Sequence, residues 1–130
     1  LKTMMLQLQA ARRASIAQNT LSLITFLQGV HESRRVVRTE LQTEPYELWK
    51  DDSDKKAHAS KVCSSYDILG ILLQQEELFP KNLFLDNWGT SIKNCYEILE
   101  GFIEDMQKPD NSGPEYWKNF RWLYDQVKEK

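Results

Sequence analysis

The first 28 residues of the chain contain neither glycine nor proline, and this uninterrupted stretch limits the folds open to the chain. Within it, apolar residues recur at three- and four-residue steps, which is the spacing of one face of an α-helix. The residues of this stripe are Leu6, Ala10, Ala14, Ala17, Leu21, Ile24 and Leu27. The pattern predicts a single helix over residues 2–28, ended by Gly29.

The same periodicity continues after Gly29. The segment "ESRRVVRTEL" predicts a second helix that ends before Pro45, because a proline disfavours helical backbone at the residue that precedes it. A third helix is predicted over residues 54–76, with Asp52 or Ser53 as its N-terminal cap.

Two further prolines mark helix starts, since the first turn of a helix does not need the missing N–H. A fourth helix is predicted from Pro80 and a last one from Pro114, separated by the loop "KPDNSGP". No alternating strand pattern of useful length is present. The sequence therefore predicts an all-α fold, a four- to five-helix antiparallel bundle with a long N-terminal helix.

At 130 residues with 41% hydrophobic content, the chain is predicted to form one domain over residues 1–130 with a core of its own. Its apolar runs are too short to cross a bilayer. The inner stripes predict one cluster that contains Tyr66, Leu69, Leu73, Trp88, Leu99, Trp117 and Phe120. Apolar residues on the other side of the third helix, Ile68, Ile71 and Leu72, predict that this helix is the central and most buried one.

Several polar groups are of the residue types that form catalytic or metal sites. Asp86 and Asn87 flank Trp88, but a core position for the indole places them in the first turns of a helix, where a carboxylate is stabilised by the helix dipole. The acidic face at residues 97, 100 and 104 has no Glu-x-x-His partner motif, so we interpret it as solvated rather than metal-binding.

The cysteines and histidines also lack the spacing of a site. Cys63 and Cys95 are predicted to be buried reduced thiols, with a disulfide as the alternative. His31 and His58 are predicted to lie on the surface, because neither has a second ligand at zinc-site spacing. The sequence predicts no catalytic residue, no metal site and no cofactor; it leaves catalytic activity unsupported without excluding it.

The arginines of the second helix are the sharpest polar feature. Arg38 adjoins the inner edge of this helix, and Asp67 lies on the helix predicted to be most buried, where an unpaired carboxylate is costly. We therefore predict a buried Arg38–Asp67 pair, or failing that a pair with Arg34 or Arg35. In the alternative, Arg34, Arg35 and Arg38 bind phosphate or RNA or serve an enzyme, although no aromatic residue is interleaved among them and the net charge of −2 disfavours nucleic acid.

The N-terminal helix is about 40 Å long, more than a small bundle covers. We expect residues 1–12 to project as a stem with Met4, Met5, Leu8, Arg12 and Arg13 as an interaction surface. A second copy of the chain is expected on its apolar side. In the alternative, the stem folds back and the protein is a monomer.

Four segments carry a family resemblance: "RRVVRTEL", "SSYDILGILL", "LFLDNWGTSIKNCYEIL" and "GPEYWKNFRWLYDQ". Together they resemble a bacterial family of helical domains of unknown function, over roughly residues 15–126. The resemblance implies a cytoplasmic domain behind one N-terminal membrane-spanning helix, and no established catalytic residue. This chain has no such segment, so a tether to the inner membrane would precede Leu1, with Arg12 and Arg13 on the cytoplasmic side.

Taken together, these features predict a non-enzymatic helical interaction module. A homodimer through the N-terminal helix and a membrane surface near the N-terminus are its expected partners.

Overall fold

A computed structural model describes residues 1–129, and every regular element in that range is a helix. The six helices are α1 (Lys2–Gln28), α2 (His31–Val36), α3 (Tyr46–Trp49), α4 (Ser53–Leu73), α5 (Lys81–Met106) and α6 (Lys118–Val127). Helix α2 runs directly into a π-helical turn, Val37–Leu41. The predicted all-α fold with a long N-terminal helix is confirmed. The connector expected before the third helix contains the additional short helix α3.

The start of α4 follows the predicted capping chemistry. The Asp52 carboxylate accepts hydrogen bonds from the backbone N–H groups of Asp54 and Lys55, both at 3.1 Å. Because the first N–H groups of a helix have no partner within it, these two bonds fix where α4 begins. Asp52, and not Ser53, is the cap.

Helix α6 begins four residues later than the sequence predicts. Pro114 was expected in its first turn, but turns precede the helix, and Trp117 has a left-handed backbone with φ of 56°. That conformation is uncommon for a bulky residue. The indole of Trp117 is buried and donates a hydrogen bond to the Ser64 hydroxyl at 3.2 Å, so side-chain packing holds the unusual backbone in place.

The core forms where α4, α5 and α6 meet. Of the seven residues predicted for it, Tyr66, Leu69, Leu73, Leu99, Trp117 and Phe120 are buried in one cluster. Trp88 is the exception, because it is only half-buried and stacks on Phe84 with ring centroids 5.5 Å apart.

Helix α4 is less enclosed than predicted. Ile68 and Ile71 are 41% and 43% exposed, so its outer side faces solvent. One face of α4 packs on the core, while Ile68 and Ile71 on the other side are largely open to solvent and Leu72 beside them is half-buried.

The inward face of α1 also differs from the predicted stripe. Residues 1–15 are all exposed, and the first partly buried residue is Ile16. Beyond that point Leu23 and Leu27 are the buried residues of the helix, with Thr20 half-buried on the same side. Of the predicted stripe, Leu27 is buried and Ile24 is half-buried, whereas the alanines and Leu21 face solvent, because α1 meets the bundle only through its C-terminal half.

Candidate functional site

A polar groove lies between the α2 segment and α5. It has a volume of about 390 Å³. Its lining residues are His31, Arg34, Arg35, Arg38, Thr39, Gln42, Asn94 and Ile98. The groove therefore brings together the three arginines identified in the sequence and the neutral amide side chains of Gln42 and Asn94.

The π-helical turn shapes the arginine side of this groove. A π-helix holds more residues per turn than an α-helix, and single π turns inside α-helices are frequent at functional sites. Here Val37 and Leu41 are both buried, while Arg38 between them is exposed. The Thr39 hydroxyl donates to the Arg35 carbonyl at 2.7 Å, which satisfies an acceptor inside the turn.

Arg34 is the most deeply placed of the three arginines, with 9% of its surface exposed. Its Nη1 donates a hydrogen bond of 2.6 Å to the carbonyl oxygen of Leu27, in the last turn of α1. This carbonyl also accepts the backbone N–H of Val30 at 3.1 Å, and because the C-terminal end of a helix carries partial negative charge, it suits a cation as a second donor. Arg34 thus joins the end of α1 to the groove.

Arg35 is paired locally. Its Nη2 and Nε donate to the two carboxylate oxygens of Glu32 at 2.6 and 3.0 Å, a fork of two parallel hydrogen bonds. The hydrogen bond from Arg35 lowers the pKa of Glu32. The charge of Arg35 is therefore largely compensated, while Arg38 makes no ion pair with any residue of the range 1–129.

The predicted Arg38–Asp67 pair is not formed, and neither Arg34 nor Arg35 replaces Arg38. Asp67 Oδ1 instead accepts the backbone N–H groups of Asn119 and Phe120, at 2.9 and 3.2 Å. The physical reason is that α6 begins beside α4, so the N–H groups of its first turn already supply hydrogen bonds to the half-buried carboxylate. Asp67 therefore caps α6, and Arg38 lines the groove instead of pairing with Asp67.

The predicted interaction surface on α1 is exposed along its length. Met4 and Met5 are 62% and 61% exposed, and Arg12 and Arg13 also face solvent. Leu8 and its neighbour Leu6 are each 65% exposed. We refer to residues 1–15 as the stem.

The remaining chemical candidates are accounted for by packing. Burial raises the pKa of the Cys95 thiol to about 11 and that of the Cys63 thiol well above its usual value, so both thiols are protonated at neutral pH. Both cysteines are free. His58, expected on the surface, is half-buried, and its Nδ1 lies 2.9 Å from the Ser33 hydroxyl.

The acidic face of α5 is solvated. Glu97, Glu100 and Glu104 are exposed, and Glu97 accepts a hydrogen bond from the Tyr124 hydroxyl at 2.8 Å. Across residues 1–129, no three or more His, Cys, Asp or Glu side chains are grouped as a metal site would require. No helix in that range has the length and apolarity to cross a membrane.

Comparison with protein families matches residues 3–127 to the model described as a domain of unknown function, DUF4760. The chain belongs to this family. The match covers nearly the whole domain, from the stem through α6, and agrees with the predicted resemblance to a helical family of unknown function. No curated protein and no solved structure is significantly similar to the chain.

Two features of the groove escaped the sequence interpretation. The π turn has no distinctive sequence signature, and Asn94 and Ile98 approach the arginines only through the packing of α5. The available signal was the excess of basic residues before residue 42, where six Lys and Arg stand against two Glu.

Proposed function

We propose that the domain is a non-enzymatic interaction module whose stem associates with the stem of a second copy of the chain. The observation that carries this proposal is the presence of large apolar side chains in residues 1–15, all of which are exposed. Leu8 at 65% exposure and Met4 at 62% leave most of their apolar surface in water. Contiguous apolar surface of this kind is typical of interaction sites.

The spacing of these side chains suits a second helix. Leu1, Met4, Leu8 and Ala11 follow one another at steps of three, four and three residues, which is the a/d spacing of a short coiled coil. Met5 widens the same side. An identical stem supplies the same stripe, so a symmetric pair would cover both apolar surfaces at once.

A matched pair of variants tests this surface. Leu6 and Leu8 have the same residue type and equal exposure, yet lie about 160° apart around an α-helix. We expect the parent chain to sediment as a dimer at micromolar concentration, Leu8→Glu to sediment as a monomer, and Leu6→Glu to remain dimeric. A parent chain that is monomeric throughout, or a Leu6→Glu variant that alone dissociates, would contradict the proposed surface.

A second candidate is the binding of the same helix to an anionic membrane surface, next to a tether that places the domain on the cytoplasmic side. The observation favouring it is that α1 carries Lys2, Arg12 and Arg13 and no acidic residue. Basic residues near an anionic leaflet each contribute on the order of 1 kcal/mol. Co-sedimentation of a monomeric parent chain with phosphatidylserine vesicles, lost on the double change Arg12→Gln and Arg13→Gln, would support this candidate over self-association.

A further inference from the structure

The groove between α2 and α5 has an unbalanced charge. Its lining includes three arginines and no carboxylate, in a chain that has 19 acidic and 17 basic side chains. Glu32 compensates Arg35. Arg34 and Arg38 have no carboxylate within ion-pair distance in the part of the chain that the structure describes, so two like charges share one concave surface.

The guanidinium of Arg34 is fixed by one hydrogen bond and keeps further N–H donors for a ligand. Among residues 1–129, Nη1 alone has a hydrogen-bond partner, the Leu27 carbonyl oxygen. Every buried side-chain nitrogen or oxygen atom within residues 1–129 has a hydrogen-bond partner, so Nε and Nη2 of Arg34 must be reached by solvent. Arg34 is 9% exposed and lines the groove, so we infer that a ligand in the groove reaches these donors.

Neutral donors complete the lining. Gln42, at the end of the π turn, and Asn94, on α5, line the groove together with the arginines. Neither side chain has a hydrogen-bond partner among the described residues, so both NH₂ groups can donate to a ligand. Ile98 forms an apolar wall beside them.

We propose that this groove binds an oxyanion of the phosphate class, held by Arg34 and Arg38 with Gln42 and Asn94 as neutral donors. A planar guanidinium donates two parallel hydrogen bonds to phosphate oxygens, a geometry that a lysine does not offer. A volume of about 390 Å³ holds a phosphate group together with a small attached group. No residue of the stem lines the groove, so a failure of the self-association proposal would not contradict the phosphate site, and the reverse also holds.

Two sources present this chemistry, a soluble phosphate compound and a phospholipid headgroup. The recognition is the same in both: a group with two or more negatively charged oxygen atoms that enters between the two arginines. A phosphate diester offers one charge and fits less well than a monoester, because two uncompensated arginines face it.

Calorimetric titration of the full chain with inorganic pyrophosphate at low salt tests the soluble source. We expect saturable binding at one site, weakened at least tenfold by Arg38→Gln. Arg38 is exposed and forms no ion pair with the residues that the structure describes, so this variant should melt at the temperature of the parent chain. Arg12→Gln is the matched control, since it removes one exposed positive charge on the stem and should leave pyrophosphate binding unchanged.

Flotation with vesicles tests the headgroup source. Phosphatidylcholine vesicles containing phosphatidic acid present a phosphate monoester, and pure phosphatidylcholine vesicles present none. Retention that Arg38→Gln abolishes and Arg12→Gln preserves assigns the groove to a headgroup, even if free pyrophosphate binds weakly. The proposal is overturned if neither pyrophosphate nor phosphatidic acid binds, or if Arg38→Gln binds both as the parent chain does.

Discussion

Gly70 shows how one missing side chain sets the distance between two helices. It lies on α4 opposite the first turn of α6, and a Cβ atom built on it would be 2.3 Å from the Asn119 carbonyl oxygen. The contact is with backbone, which cannot turn aside as a flexible side chain can. Gln74 strengthens the same crossing by donating to Asn119 Oδ1 at 3.0 Å.

We expect Gly70→Ala to lower the free energy of unfolding by about 3 kcal/mol, because α4 and α6 must separate to admit the methyl group. The gain in helix propensity, about 1 kcal/mol, only partly offsets this loss. Urea denaturation measures the change. Gly89→Ala is the matched control, since its Cβ would lie 3.5 Å from Val127 at ordinary contact distance, and its stability should equal or exceed that of the parent chain. Equal stability of the two variants would show that the crossing is looser than described.

At the scale of the element, α6 depends on a cap that another helix provides. Its own N-terminal residue, Trp117, makes no side-chain capping bond and has its indole in the core. Asp67 on α4 accepts the two N–H groups instead. The carboxylate therefore lies at the N-terminal end of α6, where the helix dipole is positive.

Asp67→Ala should therefore lower the free energy of unfolding by about 2 kcal/mol, the upper part of the range for losing a helix cap. Asp67→Asn keeps an oxygen acceptor and should cost less. Asp110→Ala is a suitable control, because it removes an exposed aspartate from a loop. A double-mutant cycle between Asp67→Ala and Arg38→Ala decides between the cap and the ion pair expected from the sequence. Additive changes in the free energy of unfolding support the cap, while a coupling energy of several kcal/mol between the two residues would support the ion pair.

At the scale of the whole molecule, the domain divides into a packed bundle and a stem. The core cluster begins along the chain at Leu23, and residues 1–15 are exposed. The stem continues a helix that the bundle anchors, so its helical form does not require a core of its own. Its stability in water is therefore separate from that of the bundle.

Removal of residues 1–14 should leave the unfolding free energy of the bundle within about 0.5 kcal/mol of the parent value, because no packed contact is lost. The melting temperature of the full chain should rise with protein concentration if stems associate, and that of the shortened chain should not. Thermal melts at several concentrations measure both quantities. A shortened chain that is markedly less stable would show that the stem folds back onto the bundle.

The sequence was sufficient for features that depend on local chemistry. A stretch of 28 residues without glycine or proline defines α1, and Asp52 caps α4 because the first turn of any helix presents free N–H groups. Period-3.6 stripes also identified six of the seven core residues correctly, since a residue on the apolar face of an amphipathic helix is buried wherever that face packs.

Only the tertiary structure decided which faces pack and which polar groups meet. The sequence predicted a stripe of alanines and leucines as the inner face of α1, and the position of the bundle instead buries Leu23 and Leu27 near the end of the helix. Asp67 could satisfy its charge with an arginine or with backbone N–H groups, and the start of α6 beside α4 determined the outcome. The groove arises in the same way, because Arg34, Arg38 and Asn94 are brought together by a π turn and a helix contact. Such choices depend on distances between distant segments, which local periodicity does not encode.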